Sequence, residues 1–515
     1  MREEMGRSRS IPWGKIFGII VGITAGIVVF IVWKPMWHWL FFAFFYKYWF
    51  ILFIFIVTIL LMVLWGMKTA RDNIEGWVNG LVWTGMVVFL VFWLVFSFAL
   101  APAITKTKIA NSMKYEEINQ APETTKIRYL PLEVAEKLAN SQQENSALAV
   151  GDPEPLEIDE RFLWIIPKIP NGPINALRSQ MDGFMIIEDS QKVTSTEQKF
   201  RYGEYMRFGD GIFWRFDLKH FFAEYNDPYY LWSEEEGKFI GICSYITYYF
   251  DFPVMIPQWG GVMVFHDDGT IEDLSPKEAV NDPRFKDQRL FPEKMAKIDV
   301  LAWAFKNGIN NAWFRHEEQV QIPDLPNSVN QMPYYLPTDQ GPMWMIATEP
   351  YGENNKAIYQ IFWIDAHNGQ IKIQNIPEEL NLTGPEIGAT FVKSSLQLYW
   401  YEKGGDTASG TYMLIEPRPI IRQDELWWMY TVTTKQSIGV SMTVLLKAQD
   451  NQVLTVSSKE ELNEWLAGKE ISPQIQEATE KPKEEFQFEG LDLDNLSKEQ
   501  LSDLAQKIIE ELSKR

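Results

Sequence analysis

Apolar residues crowd three stretches within the first 104 residues, and the chain never again runs apolar for so long. Ile16 to Trp33 is an 18-residue run without charge, near the roughly 20 residues a helix needs to cross about 30 Å of hydrocarbon. Tyr48 to Met67 is the second run, and Leu81 to Ala101, ended by Pro102, is the third. Leu40 to Tyr46 is apolar too, but Lys47 stops it, so it reads as an interfacial segment or as a continuation of the second helix with Lys47 snorkelling. No small-residue cleavage site follows the first run, and Lys34, Pro35, Trp37 and Trp39 mark an interfacial exit, which argues against a cleaved signal peptide. The pattern predicts three transmembrane helices over residues 1–104.

Cationic flanks set the expected orientation, because Lys and Arg beside a span stay in the cytoplasm. Arg2, Arg7, Arg9 and Lys15 precede the first run, and Lys68 and Arg71 fill the second loop, against Lys34 and Lys47 in the first. The N-terminus is then cytoplasmic and the large C-terminal part extracytoplasmic, with Lys106, Lys108 and Lys114 counting against that orientation.

Beyond residue 104 the pattern changes to short strands, and it repeats. Arg128-Tyr129-Leu130-Pro131 and Arg289-Leu290-Phe291-Pro292 each lead into apolar residues at helical spacing, and Pro at a first helical position sacrifices no hydrogen bond. Two hairpin signals follow each helix. Ser190 and Gly369 lie at the first pair of turns, and Gly269 and Asn451 at the second, between runs of β-branched and other apolar residues. Pro131 to Pro292 is 161 residues, Ser190 to Gly369 is 179, and Gly269 to Asn451 is 182. Preserved order with similar offsets predicts a tandem duplication, 123–283 and 284–468, after a connector at 105–122.

The second copy carries a resemblance. Tyr334-Tyr335-Leu336, Trp344-Met345-Ile346-Ala347 and Ile361-Phe362-Trp363-Ile364-Asp365-Ala366-His367-Asn368-Gly369-Gln370-Ile371 are similar to the strands of PepSY-type modules, over about 80 residues and more weakly in the first copy. That resemblance implies an α+β module that binds or restrains a partner and carries no catalytic residues.

Charge and chemistry refine the picture. The chain holds 48 Lys+Arg against 68 Asp+Glu, and residues 1–104 account for eight basic and four acidic residues. The remainder is strongly acidic, and with no basic stripe it is not expected to bind nucleic acid. A single cysteine, Cys243, excludes an intramolecular disulfide framework and reads as a buried core thiol beside Ile240, Gly241 and Ile242. Of five histidines, His38 falls at the expected membrane interface, His266 and His367 fall in hairpin turns, and His220 lies among aromatics. His316-Glu317-Glu318-Gln319 lacks the second histidine of a zincin, since Val320 stands there. Neither a phosphate loop nor a serine elbow occurs. No catalytic, cofactor or metal residue is assigned. The aromatic clusters at Phe208 to Tyr230, Tyr245 to Trp259 and Leu398 to Tyr401 are read first as strand cores and second as a partner or glycan surface.

After Gly468 the chain turns acidic and proline-spaced over 469–490, a composition expected to be a flexible linker. Residues 491–515 regain helical spacing, with Ser497 and Gln500 placed as a capping box and Leu501, Leu504, Ile508 and Leu512 as candidate partner-binding residues on the apolar stripe. The sequence thus predicts an α+β protein: three N-terminal transmembrane helices, a duplicated helix-plus-antiparallel-hairpin domain and a C-terminal amphipathic helix. The expected function is a membrane-anchored, non-enzymatic extracytoplasmic binding or scaffold protein, with the lipid bilayer and another membrane or envelope protein as partners. The alternative is a cell-envelope hydrolase using an Asp/Glu pair.

Overall fold

The computed structural model describes residues 13–32, 58, 84, 85, 87, 88, 91, 95–158, 161–323, 331–352, 357–401, 410–434 and 439–470. Residues 475–515 form a unit of their own, which lies outside the described residues, as do Leu501, Leu504, Ile508 and Leu512.

Helix α1 (Trp13–Val32) covers the first apolar run, and α2 (Ala101–Ser112) follows a π-helical turn at Phe96–Leu100. Then come β1 (Tyr115–Ile118), α3 (Leu132–Gln142), β2 (Leu148–Val150), β3 (Glu154–Ile158), β4 (Arg161–Pro170), α4 (Gly172–Arg178), β5 (Asp182–Glu188) and β6 (Val193–Lys199). Helix α5 (Ile212–Lys219) leads to β7 (Glu224–Tyr225), β8 (Tyr229–Ser233), β9 (Lys238–Asp251), β10 (Val254–Phe265), β11 (Ile271–Leu274) and α6 (Pro276–Asn281). Helix α7 (Glu293–Trp303) opens the next stretch, with β12 (Val320–Gln321), β13 (Tyr334–Thr338), β14 (Gly341–Pro350), β15 (Gln360–Asp365) and β16 (Ile371–Asn375). Last are α8 (Pro385–Leu396), β17 (Tyr412–Arg422), β18 (Glu425–Thr434), β19 (Met442–Lys447), β20 (Val453–Val456) and α9 (Lys459–Leu466).

The described strands form four sheets, each holding a four-strand antiparallel meander: β3 to β6, β8 to β11, β13 to β16, and β17 to β20. The third sheet is mixed, because β1 adds to β16 in parallel. Ser190, Gly269, Gly369 and Asn451 lie at turns between the last two strands of each meander. At Gly369 the reason for glycine is double: its φ is +79°, and a Cβ would lie 2.5 Å from the Phe291 ring.

Each pair of sheets closes on its own apolar core. Phe184, Phe216, Tyr230, Cys243 and Phe265 fill the first, while Trp344, Phe362, Trp363, Trp428 and Tyr430 fill the second with α7 against them. The segment before each long helix is pinned in the same way. The Trp164 indole N–H donates to Leu130 O at 3.1 Å, and the Trp344 indole N–H donates to Phe291 O at 3.1 Å. The earlier segment also closes the chain on itself, since Thr124 N–H donates to Ile421 O at 3.0 Å and Ile421 N–H donates to Thr124 Oγ1 at 2.9 Å.

Two expectations are corrected. The fold is a mixed, sheet-rich one rather than a transmembrane anchor followed by an α+β domain. Among the described residues no helix is long and apolar enough to cross a membrane, which overturns the three transmembrane helices and with them the multi-pass, N-inside placement. Where the third run is described, its end differs from the expectation. The helix does not stop at Pro102, which sits harmlessly in its first turn, but continues to Ser112. Ala101, the last residue of the run, is buried with Ile109 of that helix against Val254, Ile256 and Ala302, while Val87, Val88, Val91, Val95 and Phe98 of the run are exposed. The second run lies outside the described residues except for Thr58.

Candidate functional site

Two neighbouring cavities, of about 190 and 470 Å³, share Glu154, Arg289, Glu293 and Trp344 in their walls. Their lining comes from segments far apart in sequence. Glu154 opens β3, an edge strand that tolerates Pro155 because its missing N–H breaks no inner ladder. Arg289 precedes α7, Glu293 is the first residue of that helix, and Asp227 lies in the turn between β7 and β8. Folding therefore brings a strand edge, a helix start and a turn around the larger chamber.

Arg289 is held from three directions. Its guanidinium forms a hydrogen-bonded ion pair with Glu154 and lies 4.5 Å from the Tyr229 ring centroid, while Tyr229 O–H donates to the Arg289 carbonyl at 2.6 Å. Glu154 in turn keeps Arg289 protonated against the burial that disfavours its charge. The neighbouring Ser244 hydroxyl donates to Leu290 O at 2.6 Å. Arg128 is anchored comparably, paired with Glu416 and lying 4.6 Å from the Trp164 ring.

The carboxylates here resist ionisation. Burial raises Glu154 even though Arg289 opposes the shift. Glu204 is pushed up to about 8 by burial, against the hydrogen bond that Tyr230 O–H donates to it at 2.5 Å. Glu293 is exposed at the mouth of the chamber, yet the protein packed around it brings it to about 7 by desolvation, with Glu154 adding to the rise and Arg289 and Lys297 opposing it. Its helix N-terminal position favours the charged form, so desolvation outweighs the dipole. Asp227, exposed at the chamber's edge, is raised by partial desolvation and then by Asp152. Glu293 and Asp227 line the chamber yet have no cation or hydrogen-bond donor bound to them among the described residues. Lys294 is engaged by Glu224.

His220, His266 and His367 serve structure. His266 bridges Glu236 at 3.0 Å and Glu272 at 2.8 Å, His367 bonds the carbonyls of Gln288 and Val280, and His220 bonds Asp273 and stacks on Tyr245. Among the described residues no group of three or more His, Cys, Asp or Glu is placed to hold a metal ion. Cys243 is fully buried, and burial pushes its thiol well up. Of the aromatic clusters, Phe216, Tyr230 and Tyr245 fill a core, Tyr225 and Tyr229 reach the chamber, and Phe222, Tyr249, Phe250, Phe252 and Tyr399 are exposed. Sequence reasoning marked Arg289 as a repeat signal and gave Glu154, Asp227 and Glu293 no role; only the repeated Arg before Pro could have pointed there.

Comparison adds little. No family model matches the chain, and no curated protein matches it. Among solved structures, a candidate glycoside hydrolase from Parabacteroides distasonis ATCC 8503 is similar at 12% identity, over 66% of this chain and 78% of that one, with a TM-score of 0.19. A likeness that faint carries no argument about fold or function.

Proposed function

We propose that this is a non-enzymatic binding protein whose ligand occupies the larger chamber. The observation that supports it is the mutual pinning of the lining: Arg289 is tied to Glu154 and Tyr229, and the Ser244 hydroxyl is committed to a backbone carbonyl. Groups fixed by one another make a preorganised wall, which lowers the entropy lost on binding. At about 470 Å³ the chamber lies within the range of small-ligand sites.

A hydrolase remains the second reading, because Asp227 and Glu293 line one chamber and both have raised pKa values, as a general acid requires. Incubating the full chain with panels of oligosaccharides and peptides separates the two. The binding reading expects ligand capture without turnover. Turnover that disappears in Glu293→Gln would replace it with the hydrolase.

A further inference from the structure

We infer that the smaller cavity, of about 190 Å³, binds a monoanion, a carboxylate carried on a compact apolar body. This site is separate from the larger chamber and stands whether or not that chamber holds a ligand.

Arg418, on β17, lines the cavity and is 6% exposed, yet none of its hydrogen bonds goes to a carboxylate. Its Nη1 donates to the carbonyl oxygens of Arg128 and Tyr129, its Nη2 to Thr431 Oγ1 at 2.7 Å, and its Nε has no partner among the described residues. Buried charges are ordinarily paired. The two carboxylates that act on Arg418 are taken: Glu416 is paired with Arg128 and accepts from Leu132 N–H at 2.9 Å, and Asp189 is paired with Lys459 at 2.7 Å. Burial pulls Arg418 down to about 10 against the pull of Glu416, and Arg128 adds to the fall. The other cations of the wall are matched, Lys126 by Glu157 and Arg289 by Glu154. Glu293, the remaining carboxylate of the wall, acts on Arg289 and Lys297 instead. Two guanidinium groups therefore share Glu416, and one positive charge at the cavity lacks a counter-charge of its own.

Donors and walls set the kind of anion. Arg128, whose side chain is 17% exposed, holds Glu416 through Nη2, while its Nη1 makes no hydrogen bond among the described residues and is left for a ligand. Tyr334, also in the wall and 2% exposed, has a hydroxyl without a partner, and burial followed by Glu416 keeps it protonated. Pro155, Phe162, Trp164, Pro337, Pro419 and Met429 make much of the remaining lining apolar. A cavity of about 150 Å³ holds benzene, so this one has room for a ring with a carboxylate on it. A carboxylate brings two acceptor oxygens and one negative charge, which match a guanidinium edge and a single uncompensated cation. A phosphate dianion would exceed that charge and face Glu154 in the same wall. A cation would add to the surplus, and a neutral ring would leave it in place.

The test is calorimetric titration of the full chain with benzoate, benzamide and benzylamine, which share a ring and differ in charge. Benzoate is expected to bind at least about 10-fold more tightly than either of the others. Arg418→Gln should weaken benzoate by about 10-fold or more and leave benzamide unchanged. Lys126→Glu, at a part-exposed position of the wall, adds a carboxylate without touching the arginines and should weaken benzoate in the same sense. Melting of each variant without ligand verifies folding, and if Arg418→Gln does not fold, Lys126→Glu carries the test. Lys297→Trp, which places an indole in the larger chamber, should leave benzoate binding intact. Benzamide binding as tightly as benzoate, tighter binding of benzylamine, or no heat from benzoate at millimolar concentration would overturn the anion site. Benzoate binding that persists at full strength in a folded Arg418→Gln or in Lys126→Glu, or that disappears in Lys297→Trp, would overturn it as well.

Discussion

Glu204 shows at single-residue scale how strongly this interior shapes chemistry. It is buried, accepts from Tyr230, and titrates near 8 rather than near 4.5. Its folded pKa lies above the unfolded one, so the folded state binds the extra proton between the two. The stability linked to that proton is fully present below about pH 4.5 and is lost as pH rises through 8. Glu204→Gln, which stays neutral and keeps a group able to accept from Tyr230, should therefore stabilise the protein by a few kcal/mol at pH 8 and flatten the slope of melting temperature between pH 5 and 8. Thermal melts of both proteins across that range check it, and an unchanged slope would show that Glu204 is solvated in the folded state. Residues of this kind were illegible in the sequence. Arg289 could be noticed because Arg128 repeats it, but Glu154 reaches Arg289 only through tertiary closure across 135 positions, and nothing local marks Asp227 or Glu293.

Elements were more legible than sites, wherever their signal is local. Turn chemistry at Gly269, Gly369 and Asn451 needs positive φ, and the three residues have φ of +93°, +79° and +61°. Helix starts at Pro131 and Pro292 were readable for the same reason, since Pro fixes its own backbone. The apolar runs were misread because hydropathy reports removal from water without saying whether lipid or protein removes it. Ala101 is the instance, buried beside Val254 and Ala302. Capping gives this scale its prediction. Ser275 caps α6 in a full capping box with Glu278, and Ser458 caps α9 by accepting from Glu461 N–H at 3.1 Å. Helix α9 covers the last sheet with buried Leu462 and Trp465, so Ser458→Ala should cost about 1 kcal/mol, and Ser458→Asp should restore it. Denaturant melts measure this directly, and an unaltered midpoint in Ser458→Ala would mean that α9 adds nothing to global stability.

At the scale of the whole molecule, two successions of helix, meander, helix, meander and short helix follow one another, and the chain returns to its start where residue 124 pairs with residue 421. That order accords with a tandem duplication, which superposing 123–283 on 284–468 would test by whether Pro131 meets Pro292 and Trp164 meets Trp344. The chamber lies where β3 and β8 meet the start of α7, so neither residues 123–283 nor residues 284–468 alone would build it. Its existence was invisible to a reading that treated residues 123–283 and 284–468 separately. The claim that this chamber is the protein's binding site is tested most directly by titrating one panel of small ligands without a carboxylate against the full chain and against Lys297→Trp, with equal folding verified for both. The account predicts that ligands bound by the natural sequence are lost together in the variant, while melting without ligand is unchanged. Ligand binding that survives in Lys297→Trp at full affinity would place the site elsewhere and contradict it.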